Sequence, residues 1–306
     1  LKRMGVKPGV PDLHLPIAPQ SDVRLWNGLL ADLIRRGAVD EAYVAAHVSG
    51  FTDAKAALAA ADQSIAAVAA DCGVEPDALE TFYRWFAETD RTVSLFSMGA
   101  NQSAQGVAKG LSIINTHLAT GRIGKPGAAP FSITGQPNAM GGRETGGMAT
   151  TLAAHMDFDE ASRDRVKRFW AAPNVAPAPG LKAVDMFEAV HDGRVKAIWI
   201  MATNPAVSMP NANRVRETLA KCPFVVVSEA MEETDTTKFA HVKLPAATWG
   251  ERDGTVTNSE RRISRQRPLF AAPGEARPDW RIVADVAAAM GFAGAFPWNR
   301  SADVFR

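Results

Sequence analysis

Apolar positions along this chain switch period several times, and each switch marks an element. Val23, Trp26, Leu30 and Leu33 recur at helical spacing after a polar Ser21-Asp22 start, which predicts a helix opening at 21–22 with either residue as its cap. Helical patterns follow over 40–47, 52–69 and 77–88, the last capped by Asp77 and carrying Leu79, Phe82, Trp85 and Phe86 on a bulky face. Val93–Phe96 is a short apolar run of strand type, Gly99 permits a tight turn, and Val107, Leu111, Ile114 and Leu118 predict one face of a helix from Ala104 to a stop at Gly121. From 181 the pattern alternates: helix 181–190, a nearly continuous apolar strand at 195–201, helix 210–221, strand 223–227 and strand 240–244. Strand, helix and strand with short links predict a parallel, right-handed βαβ unit.

Periodicity fails between 122 and 149, where seven glycines and three prolines interrupt the chain. A long aperiodic stretch inside a globular chain is uncommon and usually functional or disordered. This one carries Gln136, Asn138, Arg143 and Glu144 among small residues instead of a solvating charge run, so it reads as an ordered loop whose backbone approaches a large polar ligand. Ligands of parallel sheets sit beyond the carboxyl ends of the strands. Thr203-Asn204 and Ser228-Glu229 occupy those ends, which predicts a binding edge.

Composition narrows the class. The 306 residues are 46% hydrophobic and 22% charged, with a formal net charge of +1, as in a globular protein of about two domains with no pull toward nucleic acid or an anionic membrane. No apolar run approaches the roughly 18–20 residues of a membrane span. Cys72 and Cys222 stand apart, with no CxxC, and fit a reducing compartment. His47 reads as a packing or surface residue, and His155, Asp157, Asp159 and Glu160 as a solvated helix start, not a metal cluster. GxGxxG and GxxxxGK[ST] are both missing, so a plain dinucleotide or P-loop site is unsupported. Residues 249–262 read as loop or hairpin, Asp279 as the cap of a helix to Met290, and 291–306 as irregular.

Three segments in order, MGANQ at 98–102, GKPG at 124–127 and TGQPNAMGGRE at 134–144, resemble molybdopterin oxidoreductases of the dimethyl-sulfoxide-reductase type, and within them the catalytic subunit of assimilatory nitrate reductase. The resemblance implies an α/β fold of two domains with mostly parallel sheets flanked by helices, formate dehydrogenase/DMSO reductase-like but partial: residues 1–124 largely helical, and residues 125–306 carrying the βαβ sheet. It implies the central portion of an enzyme reducing nitrate to nitrite at a molybdenum bis(molybdopterin guanine dinucleotide). Cofactor contacts then map onto Gln20, Ser21, Asp22, Met98, Gln102, Asn204, Ser228, Glu229, Arg252 and Asp279. Glu229 stands where relatives carry Asp and Arg252 where they carry Lys. Without the resemblance, Ser21 and Asp279 read as caps, Met98 as core filler, and Arg252 as a surface partner of Glu251 or Asp253.

Arg143 is the candidate for substrate handling. A permanently charged planar guanidinium suits a small planar anion, against the alternative of a salt bridge to Glu144. The resemblance further implies an iron–sulfur cluster on an N-terminal segment outside this chain, an electron-donor protein, a cytoplasmic setting, and a fragment that is inactive and cofactor-free alone, with exposed sheet edges open to dimerisation. Two other readings compete: a formate dehydrogenase, whose central loop resembles GQNN-type sequences instead of GQPNAMGGRE, and a non-catalytic scaffold relative of a respiratory complex, which has no use for Met98, Gln102, Asn204 and Asp279 together.

Overall fold

In the computed structural model, which describes residues 11–305, the chain forms two compact units, Leu1–Gly135 and Gln136–Arg306. Pro8, Pro11, Pro16 and Pro19 predict loop over residues 1–20, and the first ten of these lie outside the described part. The division falls at Gly135, beyond the 124/125 boundary read from the sequence, because the strand Ala129–Ser132 belongs to the first unit.

Helices dominate the first unit: α1 (Asp22–Arg35), α2 (Glu41–His47), α3 (Phe51–Leu58), α4 (Ile65–Cys72), α5 (Pro76–Glu88), the single turn α6 (Met98–Asn101) and α7 (Gly106–Ala119). Strands β1 (Val93–Phe96) and β2 (Ala129–Ser132) pair in parallel. The core joins Leu25, Leu29 and Leu33 of α1 to Val68 and Cys72 of α4 and Leu79, Phe82, Tyr83 and Phe86 of α5. The single helix expected over 52–69 is broken. Asp62 accepts from the Ser64 N–H, Ser64 caps α4 through Ala67 N, and the Arg24 guanidinium holds Gln63 and the Asp62 carbonyl. Pro76 starts α5 one residue before the expected cap Asp77, which lies inside the first turn. Burial pushes the Cys72 thiol up from its ordinary value, in keeping with a packing role.

Two expectations for the central stretch are corrected. Gly99 sits in the helical turn α6 and uses no positive φ. The loop 122–149 is not continuous, because β2 and the short α8 (Ala139–Glu144) lie within it. Pro130 is tolerated in β2 because a two-stranded sheet leaves one edge of the strand without ladder demands.

The face of α7 is rotated from the expected one, with Ile114 and Leu118 only partly buried. Val107 and Leu111 are exposed, whereas Lys109, Ser112, Thr116 and His117 are buried. Hydroxyls make this possible by bonding to their own helix: Ser112 to the Lys109 carbonyl, Thr116 to that of Ser112, and Thr120 to that of Thr116. Lys109 Nζ lies 2.7 Å from Asp22 Oδ2 on α1. Gly121 does end α7, at φ +58, where a Cβ would meet Asp40 Oδ2 at 2.5 Å.

His117 is fully buried, with Nε2 2.8 Å from Ser94 Oγ and the ring edge-on to Phe86. Burial first, then the Arg122 charge, pushes its pKa from 6.5 down to about 4. Between those values the unfolded imidazole takes a proton that the folded one refuses, so stability falls as pH drops from 6.5 toward 4. The slope reaches at most about 1.4 kcal/mol per pH unit. Urea midpoints at pH 7 and pH 5 should separate in the native protein and draw together in His117→Gln; equal separation in both would remove His117 as the cause.

The second unit carries α8, α9 (Glu160–Trp170), α10 (Ala183–His191), β3 (Ala197–Met201), the turn α11 (Pro205–Ser208), α12 (Ala212–Lys221), β4 (Phe224–Glu229) and β5 (Val242–Pro245). A hairpin of β6 (Gly254–Thr257) and β7 (Ile263–Gln266), then α13 (Asp279–Ala289) and α14 (Ser301–Phe305), complete it. β3, β4 and β5 run parallel in that order, and β3 and β4, joined through α12, form the parallel unit that the strand–helix–strand pattern predicted. Ile198, Ile200, Val225 and Val227 bury one sheet face under Phe187 and Val190 of α10 and Val215 and Leu219 of α12. The opposite face, with Trp199, Met201 and Val226, stays partly open, so β3 is not sealed on both sides as its apolar run suggested. Asp159 caps α9 through Ser162 N, and the described residues hold no cluster of three His, Cys, Asp or Glu fit for a metal. No helix among them is long and apolar enough to cross a membrane.

Candidate functional site

Parallel pairing brings the ends of β3, β4 and β5 into one row. Met201 is level with Ser228, Ser228 with Leu244, and Glu229 with Pro245. The row continues past β5: Ala246 N donates to the Glu229 carbonyl at 3.1 Å, and Arg277 N to that of Pro245 at 3.1 Å. Asn204, Glu229 and the start of α13 therefore share the carboxyl edge of the sheet extended by residues 246 and 277.

Each side chain on that edge has a defined state. Asn204 Oδ1 accepts two bonds, from Thr236 Oγ1 at 2.6 Å and Thr236 N at 3.2 Å. Its amide N–H groups have no partner among the described residues. Glu229 Oε1 accepts from Ala230 N at 2.8 Å and Met231 N at 3.3 Å, and Oε2 has no partner among the described residues. Ser228 is 1% exposed, and its hydroxyl lies 2.8 Å from the Trp199 indole nitrogen, inside the sheet. Arg252 pairs with Asp279 and not with its neighbours: Glu251 closes a capping box with Thr248, and Asp253 binds Arg265 at 2.9 Å. Asp279 is the first residue of α13, after Pro278, so its carboxylate serves the ion pair and makes no cap bond. Ala202, directly after β3, holds φ +55, an uncommon conformation for a residue with a Cβ.

Arg143 lies on α8, which is fixed to the hairpin on two sides. Thr257 N donates to Asn138 Oδ1 at 2.8 Å, and Arg261 meets Glu144 at 2.6 Å. Gly141 permits this approach, since a Cβ there would come within 2.3 Å of Asn138 Oδ1 and 2.9 Å of Thr257 Oγ1. With Glu144 taken by Arg261, Arg143 has no ion pair among the described residues and is exposed. A groove of about 840 Å³ between α8, the hairpin and α14 is lined by Asn138, Gly141, Glu144 and Thr145, and Arg143 is not among its lining residues. Arg265, and to a lesser degree Ser301, holds the Asp253 carboxyl in this groove below its usual range.

The other candidates lie on the first unit. Gln20 is exposed at φ +73, immediately before α1. Ser21 precedes α1 without a side-chain cap bond, its hydroxyl donating to the Ala18 carbonyl at 2.7 Å. Asp22 gives one oxygen to Lys109. Met98 is 46% exposed, so it is not core filler, and Gln102 is exposed just past α6. Sequence reasoning missed Lys109 and Thr236. Lys109 looked like a surface helix residue, and the signal for Thr236 was the threonine-rich run 234–237.

The molybdopterin oxidoreductase family model matches residues 9–289. A nitrate reductase of Klebsiella oxytoca is 50% identical over 297 residues, 97% of this chain and 33% of that protein. The assimilatory nitrate reductase catalytic subunit of Bacillus subtilis (strain 168) is 33% identical over 97% of this chain and 42% of its own length. Among solved structures, acetylene hydratase from Pelobacter acetylenicus superposes with a TM-score of 0.72 at 16% identity, covering 95% of this chain and 42% of that one. The chain thus spans about a third to two fifths of the length of the curated relatives it matches.

Proposed function

This chain belongs to the molybdopterin oxidoreductase family, and from that premise we propose that it is the central cofactor-binding portion of a nitrate reductase. The observation that carries the reading is the row of polar groups on the sheet's carboxyl edge: the open Asn204 N–H donors, the second Glu229 oxygen and, paired with each other, Arg252 and Asp279. That donor set suits a long anionic ligand with a nucleobase, a molybdopterin guanine dinucleotide, better than a bare metal or a small apolar substrate.

In this reading Asn204, Glu229, Arg252 and Asp279 are the cofactor contacts of the second unit, and Gln20, Ser21, Asp22, Met98 and Gln102 are those of the first, each unit taken by itself. Ser228 contributes by packing against Trp199 beneath the edge. Asp22 and Glu229 each present one unengaged carboxylate oxygen to guanine N–H groups. Their other oxygens are held by Lys109 and by backbone N–H groups, which orients the carboxylates. Arg143 attracts and aligns nitrate without changing its own protonation. When bound, the bis(guanine dinucleotide) molybdenum cofactor supplies the two-electron oxygen-atom transfer that turns nitrate into nitrite. A donor protein and an iron–sulfur cluster on a segment outside this chain would supply the electrons, in a cytoplasmic setting.

The test uses the full-length protein. It should contain molybdenum and release guanine nucleotide on denaturation, and it should form nitrite from nitrate with a reduced viologen dye. Protein holding molybdenum that oxidises formate and leaves nitrate untouched would replace this reading.

A further inference from the structure

We propose that Thr236 is a positioning residue that makes Asn204 a one-way hydrogen-bond donor, so that the end of β3 receives an acceptor oxygen of the cofactor and not the donor edge of its guanine. The proposal rests on the reading above, in which Asn204 faces the cofactor.

The geometry leaves the amide one orientation. Which end of an asparagine amide carries oxygen is often settled only by its neighbours. Here a neighbour is decisive: the Thr236 backbone N–H can only donate, so the atom 3.2 Å from it is Oδ1. The hydroxyl agrees. Thr236 Oγ1 accepts from Ala206 N at 3.1 Å, which directs its own proton to Asn204 Oδ1 at 2.6 Å. With two donors on Oδ1, the acceptor capacity of the side chain is used and both Nδ2 protons face away from Thr236.

Thr236 is itself held in place. It is fully buried, in a turn locked by reciprocal bonds, Thr234 N to Thr237 Oγ1 at 2.7 Å and Thr237 N to Thr234 Oγ1 at 3.0 Å. The Asn204 carbonyl is also engaged, by Val207 N and Ser208 N at 3.0 Å each. The Asn204 amide is therefore pre-organised before any ligand arrives, and it differs in polarity from Glu229, which offers only an acceptor. A ligand lying along this edge must present an acceptor at β3 and donors at β4.

The experiment measures cofactor retention in the full-length protein: bound guanine nucleotide and molybdenum per chain after gel filtration, with thermal midpoints of the cofactor-free forms as a folding control. Thr236→Val and Asn204→Ala should each weaken retention about tenfold, the usual scale for removing a supporting hydrogen bond behind a ligand-contacting group. Thr236→Ser should retain cofactor like the native protein. The double variant should be no worse than Asn204→Ala alone, whereas a purely structural Thr236 would add its own loss. Asn204→Asp, which leaves Thr236 its acceptor but turns an acceptor toward the ligand, should fail at least as badly as Asn204→Ala.

Native-like retention in Asn204→Asp, additive losses in the double variant, or undiminished retention in Thr236→Val would each overturn the assignment. If Thr236→Val does not fold, Asn204→Asp and Thr236→Ser decide it. Undiminished retention in Asn204→Ala would instead overturn the cofactor reading beneath it, so the two failures are distinguishable.

Discussion

Replacing Arg143 with alanine in the full-length protein should lower kcat/KM for nitrate by about 100-fold or more, the scale of removing one charge-stabilising donor from a reacting anion. Molybdenum and guanine nucleotide content should not change. The expectation comes from what surrounds the residue. An exposed arginine usually belongs to a carboxylate, and the adjacent Glu144 was the obvious partner, but Arg261 takes that carboxylate at 2.6 Å. Asn138 and Thr257 anchor the other end of α8, so the guanidinium is carried on a fixed element and left without an ion pair among the described residues. Arg143→Lys should recover only part of the loss, because an ammonium cannot match a planar trigonal anion with two parallel donors. Nitrate kinetics unchanged in Arg143→Ala would remove the role. A parallel fall in molybdenum content would reassign the residue to cofactor binding or folding.

The largest stability effect is expected at Arg122, which is not among the proposed ligand contacts. It is 4% exposed and has no carboxylate bonded to it among the described residues. Its Nη2 donates to the Phe86 and Thr89 carbonyls at 2.7 Å each, Nε donates to the Asp90 carbonyl at 3.2 Å, and the guanidinium lies over the Phe86 ring at 4.5 Å. These carbonyls close the end of α5, where the helix presents unpaired acceptors and partial negative charge. Arg122→Met keeps much of the volume and removes every donor, leaving buried carbonyls unpaired, for a loss of about 3 kcal/mol. Urea denaturation measures it, and a loss below about 1 kcal/mol would show that water reaches these carbonyls freely. Burial holds the Arg122 pKa below its ordinary value, yet it remains a cation and part of what keeps the His117 ring neutral.

Element type was legible wherever one face of a segment had to be apolar. β1, α1, α5 and the parallel βαβ unit of β3, α12 and β4 follow from period and from the short links between strands. The edge carrying Asn204 and Glu229 was legible for the same reason, because residues just past parallel strands have nowhere else to go. What failed in α7 was the inference from apolar residues to the buried face. Ser112, Thr116 and Thr120 satisfy their hydroxyls on their own helix, so burying them costs little, and small side chains let α1 approach. A count of hydrophobic positions registers none of this.

By itself, then, the sequence determined the family, the parallel sheet and the set of polar residues gathered along its carboxyl edge, since these depend on local period, chain order and short motifs. Only the tertiary structure decided which of those polar groups are open. Arg252 meets Asp279 across 27 residues, Thr236 turns the Asn204 amide across 32, and Trp199 occupies the Ser228 hydroxyl across 29. Hydrogen bonds are short-ranged and directional, so the free or engaged state of a side chain depends on which distant residue folding brings within about 3 Å, and no pattern along the chain encodes that distance.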